Sequence, residues 1–343
     1  VSRMRTIKVA SSLMDANPSP VEARLERAEK LISEASLDGA NLFLLPEMFN
    51  FGYAYDVKLF DLAESPTGKT YKFLKGCAKK YNMMIGGTFL VRENSHIYNR
   101  FMLISSSGEQ WEYDKNYPWG WERGYFRGKH QTTIADTPLG KIGMLVCWDI
   151  AHTNLWEAYD GEVDFILASM SPPITTDPTY HLSDGQTLSN SELGFIPRLI
   201  EKISSAADLF SDIPKLLASE LEVPVISSAS TGQIQCQMPH PKALWLTYCA
   251  VNPLMWRHWN STDSIRADFK CADFAQIIDK SGQTVKACQR DSGDAWASQE
   301  ISFSSTKTKV KHALPKRVLP IMSYIFADKI FKYPSLMTYI RRR

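Results

Sequence analysis

The sequence predicts a layered α/β protein, and three observations carry that reading. Asn41–Leu45 is a continuous apolar run, the pattern of a strand buried on both faces. Val21–Ser36 places apolar residues at helical spacing with charges between them. Strand pairs separated by a turn, such as Ile97–Ser105 and Gln110–Tyr113 around Ser107-Gly108, occur between the helices. Sheets covered by helices satisfy all three.

Thr6–Leu13 reads as the first strand. Asn17-Pro18-Ser19-Pro20 then starts the helix over Val21–Ser36, whose apolar face is Val21, Leu25, Ala28, Leu31, Ile32 and Ala35. After the strand Asn41–Leu45 come a helix at Thr67–Tyr81 and strands at Met83–Val91, Ile97–Ser105 and Gln110–Tyr113. Lys141–Val146 is a short strand ending at Cys147, followed by a helix at Asn154–Tyr159 and a strand at Asp164–Ala168. The helix Ile213–Glu222 feeds the strand Val223–Ser228. Ala275–Ile278 and Gln283–Ala287 form a hairpin around Lys280-Ser281-Gly282, and Trp296–Phe303 is the last strand.

Two stretches break the alternation. Ser171–Asp212 is long and mostly polar, with one amphipathic helix expected at Phe195–Ala207; Gln233–Lys270 is rich in aromatic residues. Segments this long inside a compact domain usually serve as lids or binding elements. No internal repeat or low-complexity linker appears. The expected organisation is one domain over residues 1–316 with insertions at about 171–212 and 233–270, then an amphipathic extension over 317–343.

The chain has 343 residues, and its 44% hydrophobic content is ample for a full core. Lys and Arg total 39 against 37 Asp and Glu, a net charge of +2 that gives no reason to expect nucleic acid. None of the six cysteines forms a C-x-x-C pair, so no zinc or redox motif appears. The first residues lack the apolar core of a secretory signal, and a reduced, cytoplasmic setting with free thiols is the expectation. No apolar stretch of about 20 residues suggests a spanning helix.

Three short segments carry chemistry: Leu44-Leu45-Pro46-Glu47-Met48, Tyr113-Asp114-Lys115 and Met144-Leu145-Val146-Cys147-Trp148-Asp149. Each lies at or just past a strand end, and together they supply a carboxylate, an ammonium and a thiol. Taken singly, each has a bland reading. A Cys after an apolar strand is more often a small core residue, and Glu47 and Lys115 alone read as surface charges. A thiol at a sharp strand-to-helix turn is, however, exposed to backbone N–H groups that stabilise negative charge.

In order and spacing, Pro46-Glu47-Met48, Tyr113-Asp114-Lys115 and Cys147-Trp148-Asp149 resemble the signature of the nitrilase superfamily of carbon–nitrogen hydrolases. That signature is a glutamate–lysine–cysteine triad on three successive strand ends. The resemblance covers roughly residues 5–170, resumes at Leu216–Ser230 and Phe274–Phe303, and fades in the two long segments and at the C-terminus. It implies a four-layer α-β-β-α sandwich. It also implies that Cys147 attacks the substrate carbonyl, that Glu47 acts as general base, and that Lys115 stabilises the oxyanion beside the backbone N–H of Trp148.

The resemblance further implies a second glutamate after the lysine. Glu122, seven positions beyond Lys115, is the candidate, and Glu112 is a competitor by proximity. Lys115-Asn116-Tyr117-Pro118-Trp119 looks like the loop of the aliphatic amidase branch, although the spacing to Glu122 is one residue shorter. Cys-Trp-Asp in place of Cys-Trp-Glu favours an amidase or carbamoylase over a nitrile hydrolase. Candidate substrate contacts are Trp148, Tyr53, Trp119, His152 and Ser171, with Ser169 and Met170 on the same strand end. No metal or organic cofactor is implied.

The expected activity is that of a thiol amidohydrolase releasing ammonia or an amine from a small-molecule amide. Carbamoylase or nitrilase activity, N-acyl transfer, and a catalytically silent binding or scaffold protein are the alternatives. The resemblance also implies a homodimer or higher homo-oligomer. The apolar tail ending in Arg341-Arg342-Arg343 is expected to contact a partner subunit, with peripheral membrane contact as the rival reading.

Overall fold

The computed structural model describes residues 4–52, 54–194, 206–304, 309–310 and 312–342. Twelve strands form one continuous sheet that folds on itself into two halves. The first half runs in the order β6 (Gln110–Asp114), β5 (His96–Ile104), β4 (Met84–Glu93), β2 (Leu42–Leu44), β1 (Met4–Asp15) and β17 (Ala295–Ser304). The second runs β7 (Ile134–Thr137), β8 (Gly140–Val146), β9 (Phe165–Ser169), β12 (Val225–Thr231), β15 (Gln276–Ile278) and β16 (Thr284–Ala287). The halves join where the last residues of β1, Leu13–Asp15, pair in parallel with Ala229–Thr231.

The inner faces meet in one large buried cluster. Ile7, Val9, Leu42, Leu44, Phe101 and Leu103 of the first half share it with Ile142, Met144, Val146 and Leu167 of the second. Outside the first half, α1 (Val21–Leu37) and α2 (Lys69–Lys80) place Leu25, Ala28, Leu31, Ile32, Leu74 and Ala78 against Phe43, Leu45, Ile85 and Phe89. Outside the second half, α3 (Ala206–Leu221) contributes Ile213, Leu217 and Leu221 and packs on β12 and β15. The result is the α-β-β-α layering. Arg24 on α1 departs from the solvent-facing pattern of that helix's charges. It is buried and donates from Nε to Phe49 O at 2.8 Å, and it also bonds Asp15 O, which pins the chain just after Glu47.

The two long segments are not loops. With β3 (Ala54–Tyr55) from the chain after Glu47, their described residues build a second, five-stranded sheet in the order β11 (Thr187–Ser189), β10 (Pro173–Leu182), β14 (Ile265–Cys271), β13 (Gln233–Gln237) and β3. The helix α4 (Pro241–Val251) and the 3-10 turn Pro253–Ser261 bury Leu244, Trp245, Cys249 and Met255 in the core beneath this sheet. Thus much of the aromatic segment packs inward, although Leu246, Leu254 and Trp256 stay exposed. The helix expected at Phe195–Ala207 lies almost wholly outside the described residues.

Three segments of the chain pass from the large sheet into the small one. β9 leads through Ser171 into β10, β12 leads through Gly232 into β13, and the chain after Glu47 supplies β3. The small sheet therefore sits at the end of the sandwich where Glu47 and Cys147 lie.

The C-terminal segment packs on its own chain. It runs from a short helix, Ile321–Ile325, through a π-helical turn, Phe326–Ile330, into α5 (Lys332–Arg342). Phe331 and Tyr339 join the core under the small sheet, where Phe331 meets Trp121 edge to face. The Tyr339 hydroxyl accepts the backbone N–H of Ile97 at 3.1 Å. Among the described residues no helix is long and apolar enough to cross a membrane.

Tyr339 is 1% exposed, whereas Tyr333 on the same helix is 68% exposed. Tyr339→Ala is therefore expected to cost about 3–5 kcal/mol in urea unfolding, and Tyr333→Ala less than about 0.5 kcal/mol. Equal effects at the two positions would contradict the observed packing.

Candidate active site

Glu47 follows the short strand β2 and Pro46, and its backbone N–H reaches Met170 O at 3.3 Å. The next residue, Met48, has φ +49°, and Cys147 has φ +46°, both in the left-handed region that non-glycine residues seldom occupy. Met48 N–H is caught by Thr88 Oγ1 at 2.9 Å. At Cys147 the extended Val146 gives way to a 3-10 turn over Cys147–Ala151. Such a sharp turn lifts a nucleophile off the end of a sheet, and local strain of this kind is held only where surroundings over-determine it.

Lys115 stands between two carboxylates. Its Nζ lies 2.8 Å from Glu47 Oε1 and 2.6 Å from Glu122 Oε2, and all three side chains are fully buried. Asn99 Nδ2 donates to the same Glu47 oxygen at 2.7 Å. The Tyr55 hydroxyl, on β3 of the small sheet, donates to Glu122 Oε1. The Trp119 N–H donates to Glu122 Oε2 at 2.7 Å. Glu47 Oε2 is buried and makes no hydrogen bond among the described residues. The Cys147 side chain is a direct neighbour of the Glu47 carboxyl, and the Ser171 backbone bonds the sulfur.

Burial governs the protonation states. It raises Glu47 to about 7; Lys115 opposes that rise and the nearby Glu122 adds to it. Burial works against the Lys115 charge, but Glu122, Glu47 and Cys147 outweigh it and hold the ammonium above its ordinary value. The Cys147 thiol is pushed well above its usual range by burial and by Glu47, with Lys115 opposing. The resting sulfur is therefore a neutral thiol beside a carboxyl poised near neutrality, the pairing needed for a proton to pass from one to the other.

Asp149 ties the two loops of the site together. It is buried and accepts from Val146 N–H at 3.2 Å on its own turn. From the Lys115 loop it accepts the N–H groups of Asn116 at 3.1 Å and Tyr117 at 2.8 Å, and the Tyr113 hydroxyl at 2.8 Å. Burial raises it to about 6.

The carbon-nitrogen hydrolase family model matches residues 8–187, slightly more than half of the chain. The chain belongs to the carbon–nitrogen hydrolase family, within the nitrilase superfamily. A citrullinase of Francisella tularensis is 34% identical over 159 residues, 43% of this chain and 54% of that protein. A nitrilase of Pyrococcus abyssi is 29% identical over 42% of this chain and 56% of its own length. An omega-amidase of Xenopus tropicalis is 29% identical over 44% and 59%. The chain thus spans little more than half the length of the curated relatives it matches. Among solved structures, Saccharomyces cerevisiae Nit3, a nitrilase-superfamily member, superposes with a TM-score of 0.61 at 18% identity, covering 86% of this chain and 90% of that one. The amidase from Nesterenkonia sp. AN1 gives 0.60 at 14% identity, covering 85% and 92%, in a structure with acrylamide added to its active-site cysteine. At these identities the structural likeness speaks for the fold, and it agrees with the sandwich read from the sequence.

The sequence-selected residues divide into two groups. Glu47, Lys115, Glu122 and Cys147 converge, and Ser171 borders them: its Oγ donates to Glu47 O at 3.2 Å and meets Ser230 Oγ at 2.5 Å. Glu112 lies elsewhere, paired with Arg100 at 2.8 Å. The side chains of Trp148 and His152 turn toward the C-terminal segment and not toward the triad. Trp148 Nε1 donates to Asp328 at 3.2 Å. His152 stacks on Tyr117 with ring centroids 3.6 Å apart. His152 Nε2 is 3.5 Å from Asp328, but burial and Arg123 lower the imidazole to about 3, so this is a contact with a neutral ring and not an ion pair. Trp119 is half-buried and is tied to the site through its backbone N–H. Tyr53 lies outside the described residues. Among the described residues no cluster of His, Cys, Asp or Glu is placed to hold a metal ion.

Sequence reasoning missed Asn99, Tyr55 and the joining role of Asp149. Asn99 carried a weak signal, a polar residue beside Arg100 in a strand whose second half, Phe101–Ile104, is apolar. Tyr55 carried none, because its strand is two residues long and pairs only with distant β13.

Two measurements follow from this geometry. Alkylation of Cys147 by iodoacetamide, located by mass spectrometry, should accelerate as pH rises through about 7, where Glu47 becomes a carboxylate able to accept the thiol proton. Glu47→Gln should flatten that rise; an unchanged profile would remove Glu47 from the role. Asp149→Asn should cost about 1–3 kcal/mol of stability, because an amide cannot accept from all the donors now shared by the carboxylate.

Proposed function

We propose that this protein is a thiol amidohydrolase that cleaves the C–N bond of a small, non-peptide amide through a Cys147 thioester. The observation that carries the reading is the fully buried Glu47–Lys115–Glu122 cluster beside a thiol on a left-handed turn. Glu47 takes the proton of the thiol as sulfur attacks the carbonyl carbon. Lys115, held between the two carboxylates, faces the negative charge that develops on the carbonyl oxygen. The proton on Glu47 passes to the departing nitrogen, the C–N bond breaks, and ammonia or an amine leaves. Water then gives a proton to Glu47 and its oxygen to the thioester carbon. The acid is released and the proton returns to sulfur.

Support for an amide substrate comes from relatives named citrullinase and omega-amidase, and from the amidase whose active-site cysteine carries acrylamide. Carbamoyl compounds and nitriles remain chemically compatible with the same triad, since each presents an electrophilic carbon bonded to nitrogen. Capture of the thioester by an amine in place of water gives N-acyl transfer. Retention of the fold for binding alone is disfavoured by the cost of keeping three buried charged side chains that a silent scaffold does not need.

Intact-protein mass spectrometry after incubation with amides, carbamoyl compounds and nitriles tests the reading. Glu47→Gln should accumulate an acyl adduct, and Cys147→Ala should neither form it nor turn over any substrate while keeping its fold. Turnover by Cys147→Ala would end the covalent mechanism.

A further inference from the structure

A cleft lies between the Lys115 loop and the C-terminal segment. Its volume is about 610 Å3, within the range of small-molecule sites. None of Glu47, Lys115, Glu122 or Cys147 lines it. Its charge is one-sided: Arg123, Arg127, Arg317, Lys329 and Lys332 line it against a single acid, Asp328.

Arg123 pairs with Asp328 at 2.6 Å. Among the described residues no carboxylate lies within ion-pair distance of Arg127, Arg317, Lys329 or Lys332. The Nε groups of Arg123 and Arg127 are buried and make no hydrogen bond among the described residues. Arg127 is held in place with its guanidinium 5.1 Å from the Tyr339 ring centroid. Cations gathered on two facing elements repel one another, and a concave wall of one sign concentrates counter-ions of the other.

We propose that this cleft is a binding site for a phosphate-bearing anion. Phosphate suits it better than a single carboxylate. It carries more charge, it spreads acceptors over three oxygens, and it matches the planar fork of arginine in a bidentate way. Tyr117 and Tyr324 on the same walls offer apolar faces to the organic part of such a ligand. A soluble metabolite and a lipid headgroup both carry such a phosphate, and the cleft opens beside Ile321, which is 47% exposed. The inference is independent of the proposed reaction, because it concerns binding at other residues.

The test is calorimetric titration of the full chain with inorganic pyrophosphate, together with co-sedimentation on phosphatidylcholine vesicles with and without phosphatidylinositol 4-phosphate. Binding of pyrophosphate at one site, weakening as salt rises, is expected. Lys329→Gln combined with Lys332→Gln, at two exposed positions where folding should not suffer, is expected to weaken it at least about tenfold, and Arg127→Gln likewise. Selective capture by the phosphoinositide vesicles, displaced by pyrophosphate, would identify a headgroup; pyrophosphate binding without vesicle capture would identify a soluble ligand. Absence of both at about 10 mM pyrophosphate, or binding unchanged in the lysine double variant, would overturn the proposal.

Discussion

The constraint on which the rest depends is the burial of the Lys115 ammonium. A lone charge taken out of water is too costly to keep, so the fold surrounds it with Glu47 at 2.8 Å and Glu122 at 2.6 Å. Two carboxylates around one ammonium leave an excess negative charge in a dry site. Part of that excess falls on Glu47, which burial and Glu122 raise to about 7. The arrangement that keeps the lysine charged therefore also makes the neighbouring carboxyl a base near neutrality. Removing either acid would disturb both properties, since each is set by the same three charges.

That burial has to be maintained at the open end of a sandwich, where strand ends would otherwise meet water. The small sheet supplies the cover. β3 delivers Tyr55 to Glu122, and Trp121 packs against Phe269 of β14 and Phe331 of the C-terminal segment. Gly124 lies under Pro239 and Ser335, where an added Cβ would come within 2.8 Å of the Pro239 side chain. The turn that carries Glu122 is thus clamped from the small sheet on one side and the tail on the other. The long segments that looked like insertions are the structural means by which the central charges stay dry.

Much of the large sheet was legible because its strands are buried on both faces and read as unbroken apolar runs, as at Leu42–Leu45 and Phe165–Ala168. The small sheet was harder for specific reasons. β10 contains Pro173 and Pro178 and an irregular register between Ile174 and Thr179, which masks a strand pattern. β13 and β14 do alternate: Ile234 and Cys236 point inward, as do Ile265, Ala267, Phe269 and Cys271. That period-two signal was readable, but it was overshadowed by the aromatic residues between the two strands. At the site, Glu47, Lys115 and Cys147 stand out because each ends a strand, and Glu122 because it follows the lysine loop. The side-chain directions of Trp148 and His152 depend on the tail more than 150 residues later, which no local pattern encodes.

The same buried groups make the molecule's stability depend on pH from both sides. The folded state favours the protonated forms of Glu47 and Asp149, whose values rise from 4.5 and 3.8 to about 7 and 6. Their contribution is therefore complete in acid and is lost as pH climbs through those values. His152 acts in the opposite sense. Its value falls from 6.5 to about 3, so its contribution is complete above the ordinary imidazole range and is lost as pH drops toward 3. Under the proposed reaction Glu47 must ionise, and it does so at a cost to the fold. Asn99 and Lys115, both bonded to Glu47 Oε1, limit that cost by offering the carboxylate two donors that the protonated form uses less well. Ionisation of Glu47 near neutrality and tolerance of the ionised site are then two consequences of one set of contacts.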